Sequence, residues 1–266
     1  MNYLSEIFYK LKINYKSNII LTSNLLSLIK INNTKNLSLI GNQLLDELVE
    51  YFHNKGTVII PSFNWDFCHG RKFEISRTSS QVGSLANLAL KNNNFRRTHH
   101  AIYSFLVYGK LTNDLLNIKT KDAFSNKSIM SYLYNKKFKQ IFLNLEIEDG
   151  FFLVHLAEQM VGVDYRYIKN FIGNYIDYEG HESEKTFSFY VRKNESLKWK
   201  IVNDGRSVST AICNSFENRL NNIGAFKIYE KGAIKAKCVD VYKAVNLMKD
   251  SLNNNGCIVY PRKRID

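Results

Sequence analysis

Asn18-Ile19-Ile20-Leu21-Thr22-Ser23-Asn24-Leu25-Leu26-Ser27-Leu28-Ile29 is the stretch on which the fold turns. Asn18 to Leu21 reads as a short apolar strand. It runs into the polar triplet Thr22-Ser23-Asn24, after which Leu25, Leu28 and Ile29 fall at helical spacing. Ser, Thr and Asn accept hydrogen bonds from the free N–H groups of a first helical turn, so the segment predicts a strand, a tight turn and a helix start. Further along, Leu44, Leu45, Leu48, Val49 and Phe52 recur at three- and four-residue steps, which predicts an amphipathic helix. Gly56 reads as its stop, and Thr57 to Ile60 as a buried strand ending at Pro61.

The same pattern continues with a helix over Val82 to Leu90, a strand over Ile141 to Leu145, and a helix over Phe151 to Val161 after an acidic turn at Glu146, Glu148 and Asp149. Strands alternating with helices predict an α/β fold, a layered α/β/α mixed sheet. From about Tyr178 the texture changes. Phe187 to Arg192 alternates like a strand, Lys198 to Val202 resembles its partner, and Asp204-Gly205 signals a turn. Residues 178–206 are therefore expected to form a small β-hairpin excursion in the C-terminal half of a single domain spanning 1–266. Helices near Ser215 to Leu220 and Val239 to Lys249 follow, and Arg262-Lys263-Arg264 reads as a solvated basic tail.

Composition bounds the function. Hydrophobic residues make up 45% and charged residues 23%, as in folded globular proteins. No uncharged apolar run reaches the length of about 18 residues needed to span a bilayer, so membrane insertion is not expected. The N-terminus lacks the charged, apolar and small-residue order of a signal peptide. Cys68, Cys213, Cys238 and Cys257 are scattered without a paired spacing, as free thiols in a reducing compartment would be, and the expected location is cytoplasmic. Thirty-seven Lys and Arg against 24 Asp and Glu give a net charge of +13, a field that favours anionic partners. With 16 Tyr and 17 Phe, that charge also raises nucleic-acid binding as a remote alternative. The basic residues are dispersed, however, and no helix-turn-helix, RNP or zinc-finger pattern occurs, so no nucleic-acid partner is expected.

Three segments carry chemistry. In Val154-His155-Leu156-Ala157-Glu158, a helix places His155 and Glu158 on one face three residues apart. A carboxylate beside an imidazole orients it and raises its basicity, as a general base near neutral pH requires. The same spacing also fits a surface pair or a satisfied core histidine. Arg97-Thr98-His99-His100-Ala101-Ile102-Tyr103-Ser104 mixes a cation, hydroxyls and imidazoles before an apolar run, and suits a phosphate or polar ligand at a strand mouth, or simply a polar loop. The adjacent histidines have no third ligand at a metal-binding spacing, so no metal is expected. Pro61-Ser62-Phe63-Asn64-Trp65-Asp66-Phe67 follows a buried strand directly. Ligand sites in open α/β sheets lie at the carboxyl ends of strands, which places Ser62 and Asn64, with Asp66 nearby, to face one. No P-loop and no GxGxxG is present.

In order along the chain these pieces resemble the aminoglycoside 3-N-acetyltransferase family. That family has a strand leading to a His-Ser-Ser-Leu turn, a Gly-Thr strand ending in Met-Pro-Thr-Phe, and a Val-Gly helix start. Arg-Ser-x-His-Pro-x-x-Ser, a Ser-Pro-Tyr-x-x-Leu segment and a strand running into a Leu-His-x-x-Glu helix complete it. The counterparts are Thr22-Ser23-Asn24-Leu25, Gly56-Thr57, Ile60-Pro61-Ser62-Phe63, Val82-Gly83, Arg97 through Ser104, Ser128-Ile129-Met130-Ser131-Tyr132-Leu133 and Val154 through Glu158. The match spans about residues 15 to 165. Thr22 stands where the family has His, Ala101 where it has Pro, and Asn144 where a strand-end Gly is usual.

The resemblance implies an acyl-CoA-dependent N-acyltransferase working by direct transfer. His155 would take the proton of the acceptor amine, Glu158 would orient His155 or help position the acceptor, and Ser62 or a nearby backbone N–H would stabilise the oxyanion. Ser23, Asn24, Arg97, Thr98, His100 and Ser104 would contact the CoA, and Asn64 and Asp66 the acceptor. The cosubstrate would be acetyl-CoA or a 3-hydroxyacyl-CoA, the partners small molecules only. Because an aminoglycoside is a polycation, the +13 charge turns the expectation toward an anionic acceptor. That acceptor is a nucleotide-linked, dTDP-type 3-amino-deoxy sugar of bacterial surface-polysaccharide synthesis, with aminoglycoside acetylation, an antibiotic-resistance activity, as the alternative.

Overall fold

A computed structural model describes residues 3–32, 36–193 and 209–253. The first half runs α1 (Tyr3–Leu11), β1 (Asn18–Ser23), α2 (Leu25–Asn32), α3 (Leu37–Phe52), β2 (Thr57–Pro61), β3 (Phe73–Glu74), α4 (Ser84–Ala89), β4 (Arg96–Arg97) and β5 (Phe105–Gly109). Next come α5 (Thr112–Leu116), α6 (Ile129–Asn135), β6 (Lys139–Leu143), α7 (Ile147–Gly150) and α8 (Val154–Val161). The chain continues as β7 (Arg166–Ile176), β8 (Glu182–Arg192), α9 (Ser209–Asn222), β9 (Phe226–Lys231), β10 (Ile234–Asp240) and α10 (Val241–Asn253).

The main sheet is seven-stranded, in the order β4-β5-β2-β1-β6-β10-β9. Its centre, β2-β1-β6, is parallel, and β5 and β10 flank it antiparallel. Side chains alternate faces along a strand, and here both faces are apolar and buried. Ile19, Leu21, Val58, Ile60, Ile141 and Leu143 pack against α1, α3 and α4 on one side. Ile20, Ile59 and Phe142 pack against α6, α8, α9 and α10 on the other. Such two-sided burial is why these strands read as continuous apolar runs, and it makes the expected α/β/α layering.

Several local expectations shift. Helix α3 is stopped by His53, which adopts a left-handed φ of 43° and donates its N–H to Val49 O. Gly56 serves a different purpose: a Cβ there would lie 2.4 Å from Ser17 O and 2.7 Å from the Phe52 ring, so only glycine lets the chain enter β2. Asn144 has φ 50° and holds the start of β10 through its side chain, accepting from Lys235 N–H and donating to Ala233 O. A strand-end glycine would reach the same left-handed conformation, and asparagine is among the few other residues that tolerate it.

The C-terminal excursion is corrected in its pairing. The partner of Phe187 to Arg192 is β7, in register from Arg166↔Arg192 to Ile176↔Glu182, so the hairpin begins at Arg166 and turns at 177–181. Lys198 to Val202, Asp204-Gly205 and Arg262-Lys263-Arg264 lie outside the described residues. With β3, the hairpin makes a second, three-stranded sheet.

Candidate active site

A cleft of about 800 Å³ opens at the carboxyl ends of β1, β2 and β6. The position follows from topology, because β1 has a parallel neighbour on each side and the loops leaving the three strands diverge there. Ser23 and Asn24 line it at the start of α2, Gly83 and Ser84 at the start of α4, and Phe63 and Trp65 after β2. Asn24 caps α2 as its sequence position suggests: its Oδ1 accepts from Ser27 N–H at 3.4 Å, and its own N–H donates to Leu143 O at 3.0 Å. Thr22 Oγ1 is spent on Ile141 O, whereas Ser23 Oγ is buried with no partner among the described residues.

His155, in the first turn of α8, forms part of the cleft wall with about a quarter of its side chain exposed. Its Nδ1 lies 2.7 Å from Glu158 Oε2. Glu158 is fully buried; Tyr165 donates its hydroxyl to Oε1 at 3.0 Å, and Arg166 Nε sits 2.7 Å from Oε2. The Arg166 N–H is not aligned on that oxygen, so the contact is chiefly one of charge. Arg166 is anchored separately by donating from Nη1 to Tyr190 O. Burial alone would raise the Glu158 carboxyl. The His155 hydrogen bond and charge, the Arg166 charge and the Tyr165 hydroxyl outweigh it and hold Glu158 below the ordinary carboxylate range. An ionised carboxylate only accepts, so His155 carries its hydrogen on Nδ1 and keeps the Nε2 lone pair for the cleft.

The other expected residues form a brace beside the cleft instead of its wall. Arg97 is buried, donating to Ser104 Oγ at 2.8 Å, to Ser62 O at 2.7 Å and to Thr78 O, with Phe73 under its guanidinium. Burial lowers its pKa to about 10. Ser62 is wholly buried, its carbonyl also accepts from Ser104 Oγ, and its own hydroxyl has no described partner. Thr98 Oγ1 accepts from Phe105 N–H, and His100 Nδ1 accepts from the N–H groups of Ile102 and Tyr103. Asn64 bridges Ser79 O and Asp66 N–H, and Asp66 is held by Gln81 and Arg71. The assignments of Ser62 to the oxyanion, of Arg97, Thr98, His100 and Ser104 to CoA, and of Asn64 and Asp66 to the acceptor therefore find no support in placement. Arg97, Thr98, His100, Ser104 and Asn64 instead satisfy nearby backbone groups, as buried polar groups must.

Sequence reasoning passed over the partners that complete the site. Tyr165 and Arg166 lie just past the Gly162 cap of α8, close enough in sequence to have been proposed. The acidic turn at Glu146, Glu148 and Asp149 is the local acidic patch that the sequence allows despite its net charge: Glu148 and Asp149, on α7, line the cleft, and no Lys or Arg among the described residues does. Desolvation, with the charges of Glu148 and Glu146, pushes the Asp149 carboxyl up, a sign of crowded negative charge. Among the described residues, no group of three or more His, Cys, Asp or Glu could hold a metal ion. No helix in them is long and apolar enough to cross a membrane.

Residues 20–253 match the family model described as aminoglycoside 3-N-acetyltransferase. Among solved structures, aminoglycoside acetyltransferase AAC(3)-Xa is 14% identical with a TM-score of 0.73, over 96% of this chain and 93% of that one. AAC-IIIb, solved as a binary complex with CoASH, is 13% identical with a TM-score of 0.72, over 97% of each chain. Sisomicin-bound AAC-VIa is 14% identical with a TM-score of 0.73, over 95% of this chain and 98% of that one. At such identities the likeness establishes the fold. No curated protein matches the sequence significantly. The family match overturns the expectation of a nucleotide-linked amino-sugar acceptor. The cleft supplies the physical reason: net charge is a whole-surface quantity, and here the local wall is acidic while the described lysines lie elsewhere. The chain belongs to the aminoglycoside 3-N-acetyltransferase family and is an acyl-CoA-dependent N-acetyltransferase.

Proposed function

We propose that this protein moves the acetyl group of acetyl-CoA onto an amine of an aminoglycoside, with His155 as general base. The observation that carries the reading is His155, paired with a Glu158 clamped by Arg166 and Tyr165, in the wall of a cleft whose charged lining groups among the described residues are Glu148 and Asp149. A polycationic acceptor meets carboxylates there, and an amine held by them is delivered to an imidazole whose tautomer is already fixed. His155 Nε2 takes the amine proton as nitrogen attacks the thioester carbonyl. It then returns that proton to the departing CoA sulfur. Glu158 is sealed from the cleft, so its part is to orient His155 and stabilise the imidazolium.

At the other end of the cleft, the α2 N-terminus, its Asn24 cap and the unpartnered Ser23 hydroxyl offer donors to the pantetheine or phosphates of the cosubstrate. A cytoplasmic setting belongs to this reading, since acyl-CoA is available there. The test is release of free CoA thiol from acetyl-CoA with sisomicin as acceptor. Release that needs both substrates, with a product heavier by one acetyl group, supports the proposal; no release at any sisomicin concentration overturns it.

A further inference from the structure

Ser62 is buried and is not part of the cleft wall, so a side-chain donor to the developing oxyanion has to come from another residue. Among the polar residues in the wall, Thr22 already spends its hydroxyl on Ile141 O, Ser23 and Asn24 belong to the start of α2, and Ser84 to the start of α4. Tyr103 is the hydroxyl donor in the wall that packs toward His155. Its ring packs on Phe124 at 5.1 Å between centroids, and Phe124 packs edge-on to His155 at 5.7 Å, so one phenyl ring separates the two. Phe63 and Phe189 fix Tyr103 from two further directions, at 4.8 and 5.4 Å. Trp65 stands perpendicular to it at 6.5 Å, with its indole N–H acting on the phenol oxygen as a donor that eases ionisation only in part. An indole N–H can only donate, so Trp65 does not compete for the phenolic hydrogen. Desolvation raises Tyr103 to about 12, so the group remains a donor at any working pH.

We infer that Tyr103 is a catalytic residue that donates its hydroxyl hydrogen to the thioester oxygen and to the tetrahedral oxyanion that follows. The inference rests on the N-acetyltransferase reading. The amine lone pair forms the N–C bond, and the carbonyl π pair moves onto oxygen, where the Tyr103 O–H meets it. On collapse that pair re-forms C=O, the C–S bond breaks with its electrons on sulfur, and His155 delivers the amine proton there. Tyr103 keeps its own proton throughout. A rigid donor held by four aromatic rings needs no reorganisation at the moment charge develops, which is what makes such groups effective.

Tyr103→Phe keeps the ring and its packing and removes only the donor. The expected result is a fall in kcat of about 10²–10³-fold, with KM for acetyl-CoA and acceptor moved by no more than about threefold. A kcat within about threefold of wild type overturns the inference while leaving the general-base reading intact. A second measurement needs no acceptor: the infrared C=O stretch of bound acetyl-CoA carrying ¹³C at the carbonyl. A lower frequency in wild type than in Tyr103→Phe supports the hydrogen bond. Equal frequencies in the two proteins overturn it, whatever the acceptor proves to be.

Discussion

Replacing Glu158 by Gln keeps the shape of the α8 clamp and removes its charge, and the structure states what should follow. The carboxylate receives three groups: His155 Nδ1–H at 2.7 Å, the Tyr165 hydroxyl at 3.0 Å and the Arg166 guanidinium at 2.7 Å. A glutamine offers one acceptor oxygen and an NH₂ that can only donate. If the oxygen serves Tyr165, the NH₂ faces His155 Nδ1 and drives the hydrogen onto Nε2, which abolishes the base. Loss of general-base function corresponds to about 10²–10⁴-fold in kcat. Arg166, 8% exposed at its side chain, is left buried without a counter-charge, and breaking such a pair costs about 3–5 kcal/mol of stability. Glu158 titrates below the ordinary carboxylate value, so its stabilisation is present above that value and disappears as pH falls through the lower folded one. In Glu158→Gln that acid dependence should be missing from the pH series of unfolding midpoints. A double variant, Glu158→Gln with Arg166→Met, should recover much of the stability and none of the activity. Thiol release and chemical denaturation measure the two effects separately, and a Glu158→Gln enzyme with kcat within about tenfold of wild type would refute the orienting role.

Three further outcomes follow from the same structure. Burial depresses His100 from 6.5 to about 4, so between those values the unfolded chain binds a proton that the folded chain refuses, and stability falls with pH by up to about 3 kcal/mol. His100→Asn, which keeps an acceptor for the Ile102 and Tyr103 N–H groups, should flatten that acid limb in a thermal-unfolding series. Lys237 is buried in β10 between Glu146 and Glu217, and Lys237→Met should cost toward the low end of about 3–5 kcal/mol because Glu146 stays half-exposed. Urea midpoints check this, and adding Glu217→Gln should restore part of the loss. Glu148→Gln with Asp149→Asn should raise KM for a cationic acceptor by about 5–30-fold, at up to about 1 kcal/mol per exposed carboxylate, and leave KM for acetyl-CoA unchanged. An unchanged acceptor KM would remove the acidic wall from the account.

What could be read from the sequence was what depends on neighbours in the chain. Strands β1, β2 and β6 were legible because both of their faces are buried, leaving unbroken apolar runs between turn residues. The His155–Glu158 pair was legible because a helix alone sets that spacing. Strand β10 was not, because Ile234-Lys235-Ala236-Lys237 looks solvated. Lys237 is buried only through Glu146 and Glu217, which the fold brings from other elements. Strand β7 was missed for a related reason: from Tyr167 to Asn170 its side chains are exposed, so no core face stamps a period of two on the sequence. Arg97 and Ser104 were legible as one polar segment and Ser62 as part of another, but not the contacts by which Arg97 and Ser104 both donate to Ser62 O. Residue type does not say whether a polar group faces a ligand or a carbonyl of its own loop. The acceptor went wrong where a global charge stood in for a local one.

The most direct measurement of the central claim is steady-state acetyl transfer from acetyl-CoA to sisomicin by wild type and His155→Ala, with acetyl-CoA binding followed in parallel. The account predicts that the variant binds acetyl-CoA as wild type does and loses about 10²–10⁴-fold in kcat. Turnover unchanged in His155→Ala would contradict it, and would show that the clamped His155–Glu158 pair is architecture instead of catalysis.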